Sequence, residues 1–162
     1  MIIIAHAAKN NGIGKNNDLM FRLPLDMKFF RETTTDSVVI MGRKTLESFP
    51  GKKPLPKRVN IVITRNNDFK QEDVITVHSP HEAYEVSKAY TDKKIFVIGG
   101  GNIYEQMLPY CDTALITRVY EEPDADTFLH DFDNDPEWFL SDESEDINDN
   151  GHIIRFCTYK RK

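Results

Sequence analysis

Five runs rich in isoleucine and valine constrain the fold of this chain more than any other feature. They lack strict alternation of apolar and polar residues, which is typical of strands that are covered on both faces. Segments with helical spacing lie between them. Strands that alternate with helices predict an α/β fold with a mainly parallel sheet and right-handed connections. The predicted strands are residues 2–8, 37–41, 59–64, 95–98 and 114–120.

Three predicted helices carry recognisable start or stop signals. Residues 26–33 follow Pro24, which suits the first helical position because proline has no N–H to leave unpaired there. The segment Ser79-Pro80-His81-Glu82 is a capping box, and it predicts a helix that begins at Pro80. The third helix, residues 102–108, ends before a proline.

The C-terminal part of the chain has a different pattern. Residues 138–142 and 152–160 are predicted to be antiparallel strands, joined by an acidic turn that includes residues 147–151. Two long segments, residues 9–22 and 49–58, are predicted to lack regular structure, and loops of this length are often functional. No repeat or linker divides the chain, so residues 1–162 are expected to form one domain.

Composition narrows the class of protein. The net charge is −5 and no basic stripe is present, which argues against a nucleic-acid partner. The two cysteines, Cys111 and Cys157, have no metal-binding spacing and the five histidines are scattered, so buried thiols and no metal site are expected. The apolar N-terminus is too short for a signal peptide or a membrane span. These features predict a soluble cytoplasmic protein.

Asp26 is the most informative single residue. It lies among Leu23, Met27 and Phe30 at the start of the first predicted helix, and no partner for it is evident on that helix face. A buried carboxylate is costly unless it is paired. One interpretation is a solvated Asp in a first helical turn, where the helix dipole favours it. The other is a carboxylate reserved for a cationic or amide-like ligand group.

Three predicted strands end in residues suited to phosphate groups. The first of these ends carries Gly42, Arg43, Lys44 and Thr45, the second Thr64 and Arg65, and the third Gly99, Gly100 and Gly101. Ligands of parallel sheets bind at the carboxyl ends of the strands. The alternative for each is a tight turn or a solvated charge. The glycines match neither the Rossmann fingerprint nor a Walker loop.

Taken together and in order, these motifs resemble bacterial dihydrofolate reductases from end to end. The matching segments are Gly12-Ile13-Gly14, Leu23-Pro24-x-Asp26 with Phe30, Ile40-Met41-Gly42-Arg43-x-Thr45-x-Glu47-Ser48, Pro54-Leu55-Pro56-x-Arg58-x-Asn60-Ile61-Val62, Val97-Ile98-Gly99-Gly100-Gly101-x-Ile103-Tyr104 and Ala125-Asp126-Thr127-Phe128.

The resemblance implies a single-domain fold with a mostly parallel central sheet, a C-terminal antiparallel hairpin and helices on both faces. It implies NADPH-dependent reduction of 7,8-dihydrofolate to tetrahydrofolate, by hydride transfer to pterin C6 and protonation of N5, in support of one-carbon metabolism. It further implies a monomer whose substrate pocket also binds antifolate inhibitors.

The resemblance also implies the site residues. Asp26, Phe21 and Thr117 would serve catalysis, with Thr117 hydrogen-bonded to Asp26 or to its water. Residues 9–23 would form a mobile loop over the nicotinamide. The implied substrate-binding residues are Ile4, Ala5, Asp26, Met27, Phe30, Ser48, Phe49, Leu55, Arg58, Ile98, Tyr104 and Thr117. The implied cofactor-binding residues are His6, Ile13, Gly14, Asn17, Leu19, Gly42, Arg43, Lys44, Thr45, Thr64, Arg65, Ile98, Gly99, Gly100, Gly101, Asn102, Ile103, Tyr104 and Thr127.

Three departures from the family pattern stand out. Met20-Phe21 replaces the common Pro-Trp, and phenylalanine has no N–H with which to hold a water. His6 stands where a small residue is usual, and residues 49–53 are longer than the common form. Two rival interpretations are a reductase acting on a pyrimidine intermediate of riboflavin synthesis, and a non-catalytic nucleotide-binding domain.

Overall fold

The structure is a computed structural model, and it describes residues 1–16 and 18–162. The chain forms two compact units. The first unit consists of Met1 and residues 34–110, and the second of residues 2–33 and 111–162.

The described residues form strands and helices with the following bounds. The strands are β1 (Ile2–Ala8), β2 (Gly12–Gly14), β3 (Val38–Gly42), β4 (Val59–Ile63), β5 (Val74–Val77), β6 (Ile95–Gly99), β7 (Thr113–Val119), β8 (Thr127–Phe128), β9 (Trp138–Glu143), β10 (Ile147–Asp149) and β11 (His152–Arg161). The helices are α1 (Pro24–Thr34), α2 (Arg43–Glu47), α3 (Pro80–Ser87) and α4 (Gly101–Met107).

The first unit contains a parallel sheet in the order β6-β3-β4-β5. Helix α2 connects β3 to β4, and α3 connects β5 to β6. The strands are buried on both faces, because Val38, Val39, Ile40 and Met41 are successive residues of β3 and none of them is exposed. This explains why the strands appear in the sequence as continuous apolar runs.

The second unit contains a mixed sheet. Strand β1 pairs with β7 in parallel, and β7 pairs with β11 in the antiparallel direction. Both β9 and β10 pair with β11, also antiparallel. A separate two-stranded sheet is formed by β2 and β8. Parallel strands with C-terminal antiparallel strands and flanking helices confirm the predicted fold class.

The five predicted apolar strands are confirmed to within one residue at each end, and the three predicted helices are present. The capping box at α3 differs in one detail from the usual pattern. Ser79 Oγ accepts from the Glu82 N–H at 3.1 Å, but Glu82 Oε2 accepts from the N–H of His78, one residue before the cap.

Three predictions about irregular segments are wrong, and the first concerns residues 49–58, which contain a short 3-10 helix at Pro50–Lys52. Residues 147–149, predicted as part of a turn, form strand β10, and only Asn150 and Gly151 turn, both with positive φ. Residues 9–22, predicted to lack regular structure, contain β2. Gly12 of that strand is packed too closely for a larger residue, since a Cβ would lie 2.8 Å from the Ala125 Cβ.

Candidate active site

The Asp26 carboxylate is buried and has two partners within the second unit. Asp26 lies in the first turn of α1 and is 9% exposed. Thr117 Oγ1 donates a hydrogen bond to Asp26 Oδ1 at 2.6 Å. His6 Nδ1 lies 3.4 Å from Asp26 Oδ2. The interpretation of Asp26 as a solvated residue is therefore wrong, and its partners come from β1 and β7 rather than from its own helix face.

The strand register explains why these two partners meet the same carboxylate. His6 of β1 and Thr117 of β7 are paired residues of neighbouring parallel strands. Paired residues project from the same face of a sheet, about 5 Å apart. Each of them reaches one oxygen of Asp26, so α1 places its carboxylate above this pair.

A second carboxylate fixes the start of α1. Asp149 of β10 is 1% exposed, and its Oδ1 accepts from the Leu25 N–H at 3.1 Å. Its Oδ2 accepts from the N–H of Asp26 at 3.0 Å. These are backbone donors of the first turn that have no partner within the helix. Asp149 therefore caps α1 from a distant part of the sequence.

Phe21 lies beside the same pair. Its ring is half-buried and contacts the His6 ring edge-on, with centroids 6.2 Å apart, and the His152 ring at 5.2 Å. It also packs against a buried cluster of Leu23, Val119 and Ile154. His152 forms an ion pair with Glu121 when it is protonated. Phe21 thus separates two histidines, each of which faces a carboxylate.

The loop of residues 9–23 is attached at both ends within the second unit. The Asp126 N–H donates to Gly14 O at 3.1 Å, and Asp126 Oδ2 accepts from the Asn16 N–H at 2.9 Å. This backbone hydrogen bond lowers the pKa of Asp126. Asn150 Nδ2 donates to Arg22 O at 3.0 Å near the other end. Asn17, a predicted cofactor-binding residue of this loop, lies outside the described residues.

The other predicted residues of the second unit differ in exposure. Ile4 and Ile13 are buried, whereas Leu19 and Met27 are 70% and 61% exposed. An exposed apolar side chain on a loop or helix is available to a ligand, but it is equally common on ordinary surfaces. The remaining members of this group are half-buried, namely Ala5 in β1, Phe30 in α1 and Thr127 in β8.

In the first unit, the two glycine-containing strand ends lie side by side. Strands β3 and β6 pair, with Met41 opposite Gly99. A Cβ at Gly42 would lie 3.1 Å from Ile103 Cγ1 of α4, and one at Gly100 would have only Thr45 Oγ1 within 4 Å, at 3.7 Å. Gly99 has a φ of 118°, a conformation that favours glycine. Small residues thus leave backbone accessible beside a hydroxyl, which fits the diphosphate of a nucleotide cofactor.

The third strand end adds polar groups next to these. Gly42 of β3 pairs with Ile63 of β4, directly before Thr64 and Arg65. Arg65 and Lys44 are exposed, while Arg43 pairs with Glu47 at 3.2 Å. All the predicted diphosphate and phosphate ligands of the first unit therefore come from one end of one parallel sheet. They are Gly42, Arg43, Lys44, Thr45, Thr64, Arg65, Gly99, Gly100, Gly101 and Asn102.

The segment that carries Leu55 and Arg58 is held by Asn60. This buried amide accepts from the Leu55 N–H at 3.0 Å and donates to Leu55 O at 2.9 Å and to Arg58 O at 3.1 Å. Arg58 itself donates to Pro56 O and to Thr34 Oγ1.

Ser48 and Phe49 follow α2, and Ser48 Oγ donates to Thr45 O at 2.6 Å. Ile98 is half-buried, and Ile103 and Tyr104 are each 8% exposed.

A model of the dihydrofolate reductase family matches residues 1–161. The chain belongs to this family. It is 39% identical over 162 residues to the dihydrofolate reductase of Haemophilus influenzae, covering 99% of this chain and 98% of the relative. It is 34% identical to that of Bacillus subtilis, covering 94% and 89%.

Longer relatives and a solved structure agree with this assignment. The chain is 42% identical over 144 residues to a bifunctional dihydrofolate reductase-thymidylate synthase of Daucus carota, covering 78% of this chain but only 27% of the carrot protein. A solved structure of the dihydrofolate reductase from Enterococcus faecalis, complexed with NADP(H) and RAB-propyl, is 31% identical with a TM-score of 0.87. That match covers 99% of this chain and 95% of the other.

Family membership confirms the predicted enzyme class and activity, an oxidoreductase that reduces dihydrofolate with NADPH. It rules out both rival interpretations. Among residues 1–16 and 18–162, no three His, Cys, Asp or Glu side chains form a group that could hold a metal ion. None of the described helices has the length and apolar character needed to cross a membrane.

Several residues that shape the site were not identified from the sequence. Asp126 lies in a matched motif that assigns it no role, and His78 lies directly before the capping box and is not part of it. The structure places His78 Nδ1 2.8 Å from Thr64 O, beside a predicted phosphate ligand. No pattern in the sequence pointed to Asp149, because the acidic residues around it indicate only a turn.

Proposed function

We propose that Asp26 is the residue with which this enzyme binds and activates dihydrofolate. The observation that carries the proposal is a buried carboxylate whose two oxygens face Thr117 and His6 at the start of α1. An ionised carboxylate only accepts hydrogen bonds, so it suits a ligand that presents N–H donors. The pterin N3–H and 2-amino group are such donors.

The same carboxylate favours protonation of the substrate. Positive charge develops at pterin N5 when the proton is taken up. A fixed negative charge in a site of low dielectric stabilises that charge more strongly than it would in water. The hydroxyl of Thr117 orients the carboxylate, and Phe21 forms an apolar wall that limits access of water.

When bound, NADPH supplies the hydride that goes to pterin C6. The strand ends of the first unit would hold this cofactor. The glycine backbone and the Thr45 hydroxyl fit its diphosphate, and Arg43, Lys44, Thr64 and Arg65 suit a 2′-phosphate because charge-assisted hydrogen bonds to phosphate are strong.

Arg58 recognises the α-carboxylate of the substrate's glutamate tail, since a guanidinium can form two parallel hydrogen bonds to a carboxylate. Asn60 supports this role by fixing the backbone on both sides. The loop of residues 9–23 closes over the nicotinamide and excludes water. Hydrogen bonds to Asp126 hold Gly14 and Asn16 of this loop in place.

The test is Asp26→Asn, which keeps the size of the side chain and removes its charge. Reduction of dihydrofolate, followed by the absorbance of NADPH, should fall severely near neutral pH, while NADPH binding stays near that of the wild type. Activity should partly recover in acid, where the substrate arrives protonated. Wild-type turnover of the variant at pH 7 would show that Asp26 does not have this role.

The remaining predictions are part of the same proposal. Residues 1–162 act as one domain, and the enzyme is a cytoplasmic monomer whose substrate pocket also binds antifolates.

Burial raises the pKa of the Cys111 thiol to about 12 and that of Cys157 to about 11, so both thiols are unreactive at neutral pH. This supports a reducing compartment. Sedimentation equilibrium with and without NADPH tests the monomer.

A further inference from the structure

His6 is a polar residue in a place that the proposed function leaves unexplained. Its side chain is 11% exposed, and Nδ1 faces Asp26 Oδ2 at 3.4 Å. Nε2 of the same ring is buried and has no hydrogen-bond partner among the described residues. Buried polar atoms normally have a partner, so an orphaned ring nitrogen next to a catalytic carboxylate needs an explanation.

The chemistry of the pair fixes which nitrogen carries a proton. An ionised carboxylate can only accept, so the ring must present Nδ1–H to Asp26. In the neutral ring, Nε2 is then a bare acceptor, and in the protonated ring it is a donor. In both forms Nδ1 is the ring nitrogen that lies 3.4 Å from Oδ2, while Thr117 Oγ1 donates to Oδ1.

We propose that His6 is a positioning residue for Asp26. It fixes the second oxygen of the carboxylate, while its Nε2 binds a polar group that enters with the substrate, either an ordered water or the pterin itself. The Phe21 ring contacts His6 and has no N–H, so it cannot supply this polar contact itself. The inference rests on the proposed role of Asp26.

Other charged groups surround this pair and are part of the design of the test. Asp26 faces His6 from α1, and Asp149 from β10 is hydrogen-bonded to the backbone of Asp26. His152 of β11 lies on the far side of Phe21 and pairs with Glu121, which follows β7. A pH profile therefore has to be compared between variants at His6 rather than interpreted for the wild type alone.

Three variants separate the two ring nitrogens. His6→Ala removes both, His6→Asn keeps a donor close to the position of Nδ1, and His6→Gln places an amide close to that of Nε2. We expect His6→Ala to slow single-turnover hydride transfer about five- to tenfold at neutral pH, the size of effect of one hydrogen bond. His6→Asn should restore most of the rate, because its amide can donate as Nδ1–H does. His6→Gln should restore less of the rate. The Michaelis constant for dihydrofolate then distinguishes the two partners of Nε2. If it recovers more in His6→Gln than in His6→Asn, the partner is the pterin rather than water.

A double-mutant cycle with Asp26→Asn distinguishes positioning from packing. If His6 acts partly through the carboxylate, His6→Ala should have a smaller effect once Asp26 is replaced, because only the contact of Nε2 is then left to lose. The same loss in both backgrounds, or wild-type rates in all three His6 variants, overturns the inference. Thermal unfolding should be unchanged in His6→Asn, which shows that the variant is folded. If Asp26→Asn alone keeps full activity, the proposed function fails instead, so the two failures are distinguishable.

Discussion

Substitution of Asp149 tests what stabilises the start of α1, the helix that carries Asp26. Asp149→Ala removes a buried carboxylate that accepts the N–H groups of Leu25 and Asp26. Loss of a helix cap costs about 0.5–2 kcal/mol. One of the two donors belongs to the buried Asp26, and leaving such a group unpaired costs about 1–3 kcal/mol. Together these terms predict that the free energy of unfolding falls by about 3 kcal/mol.

Thermal unfolding followed by circular dichroism measures this change. For a chain of this size, 1 kcal/mol corresponds to about 2–4 °C, so the midpoint should fall by about 6–12 °C. Asp149→Asn keeps one acceptor oxygen and should lose about half as much. Hydride transfer should also slow in Asp149→Ala, because the first turn of α1 carries the Asp26 carboxylate.

A matched control is available at an exposed cap. Asp131 accepts from the N–H of Asn134 at 3.3 Å, and this contact is exposed. Asp131→Ala should therefore lower the midpoint by no more than about 4 °C, the cost of roughly 1 kcal/mol. If Asp149→Ala shifts the midpoint no further than this control, the cap is not what holds α1, and the reasoning fails.

Three further predictions concern binding and the apolar wall. The ratio kcat/KM should be at least about tenfold higher for NADPH than for NADH, because each charge-assisted contact to the 2′-phosphate contributes about 1.5–3 kcal/mol. Equal values of kcat/KM for the two cofactors would contradict the proposal that the cations after β3 and β4 bind the 2′-phosphate. Arg58→Leu should raise KM for dihydrofolate far more than for a pterin without the glutamate tail, and an equal rise would show that Arg58 is structural. Phe21→Trp should change hydride transfer by roughly tenfold or less, whereas Phe21→Ala should do more damage because it opens the wall to water. An alanine variant as fast as the wild type would remove Phe21 from the site.

The strands of the parallel sheet could be predicted because burial on both faces leaves a simple signature. β3 and β4 consist almost entirely of apolar residues, and their bounds were correct to within one residue. The short elements left no such signature. Strand β2 has three residues and β8 has two, too few for a period to be visible. The Asn-Gly pair after β10 does form a turn, as predicted. The turn consists of Asn150 and Gly151 alone and is narrower than the predicted one.

The family resemblance predicted the contact between Thr117 and Asp26, but neither it nor any local pattern predicted that His6 faces the same carboxylate. Asp26 was singled out from its own helix, where neighbours are three or four residues away. Its actual partners come from β1 and β7, and Thr117 is 91 residues distant in sequence. Which residues of two parallel strands are opposite each other depends on register. No local pattern specifies the register of β1 against β7, so the pairing of His6 with Thr117 had to be observed.

The arrangement at the start of α1 explains how the enzyme keeps a carboxylate both buried and available. An aspartate in a first helical turn often turns back to accept its own helix's N–H groups, and its oxygens are then occupied. Here Asp149 accepts those donors instead. The oxygens of Asp26 are therefore directed to Thr117 and His6 and, under the proposed function, to a ligand, while the positive end of the helix dipole still favours the charge. Loss of Asp149 should thus affect catalysis as well as stability, because the Asp26 carboxylate could then turn back to accept the N–H groups of its own helix.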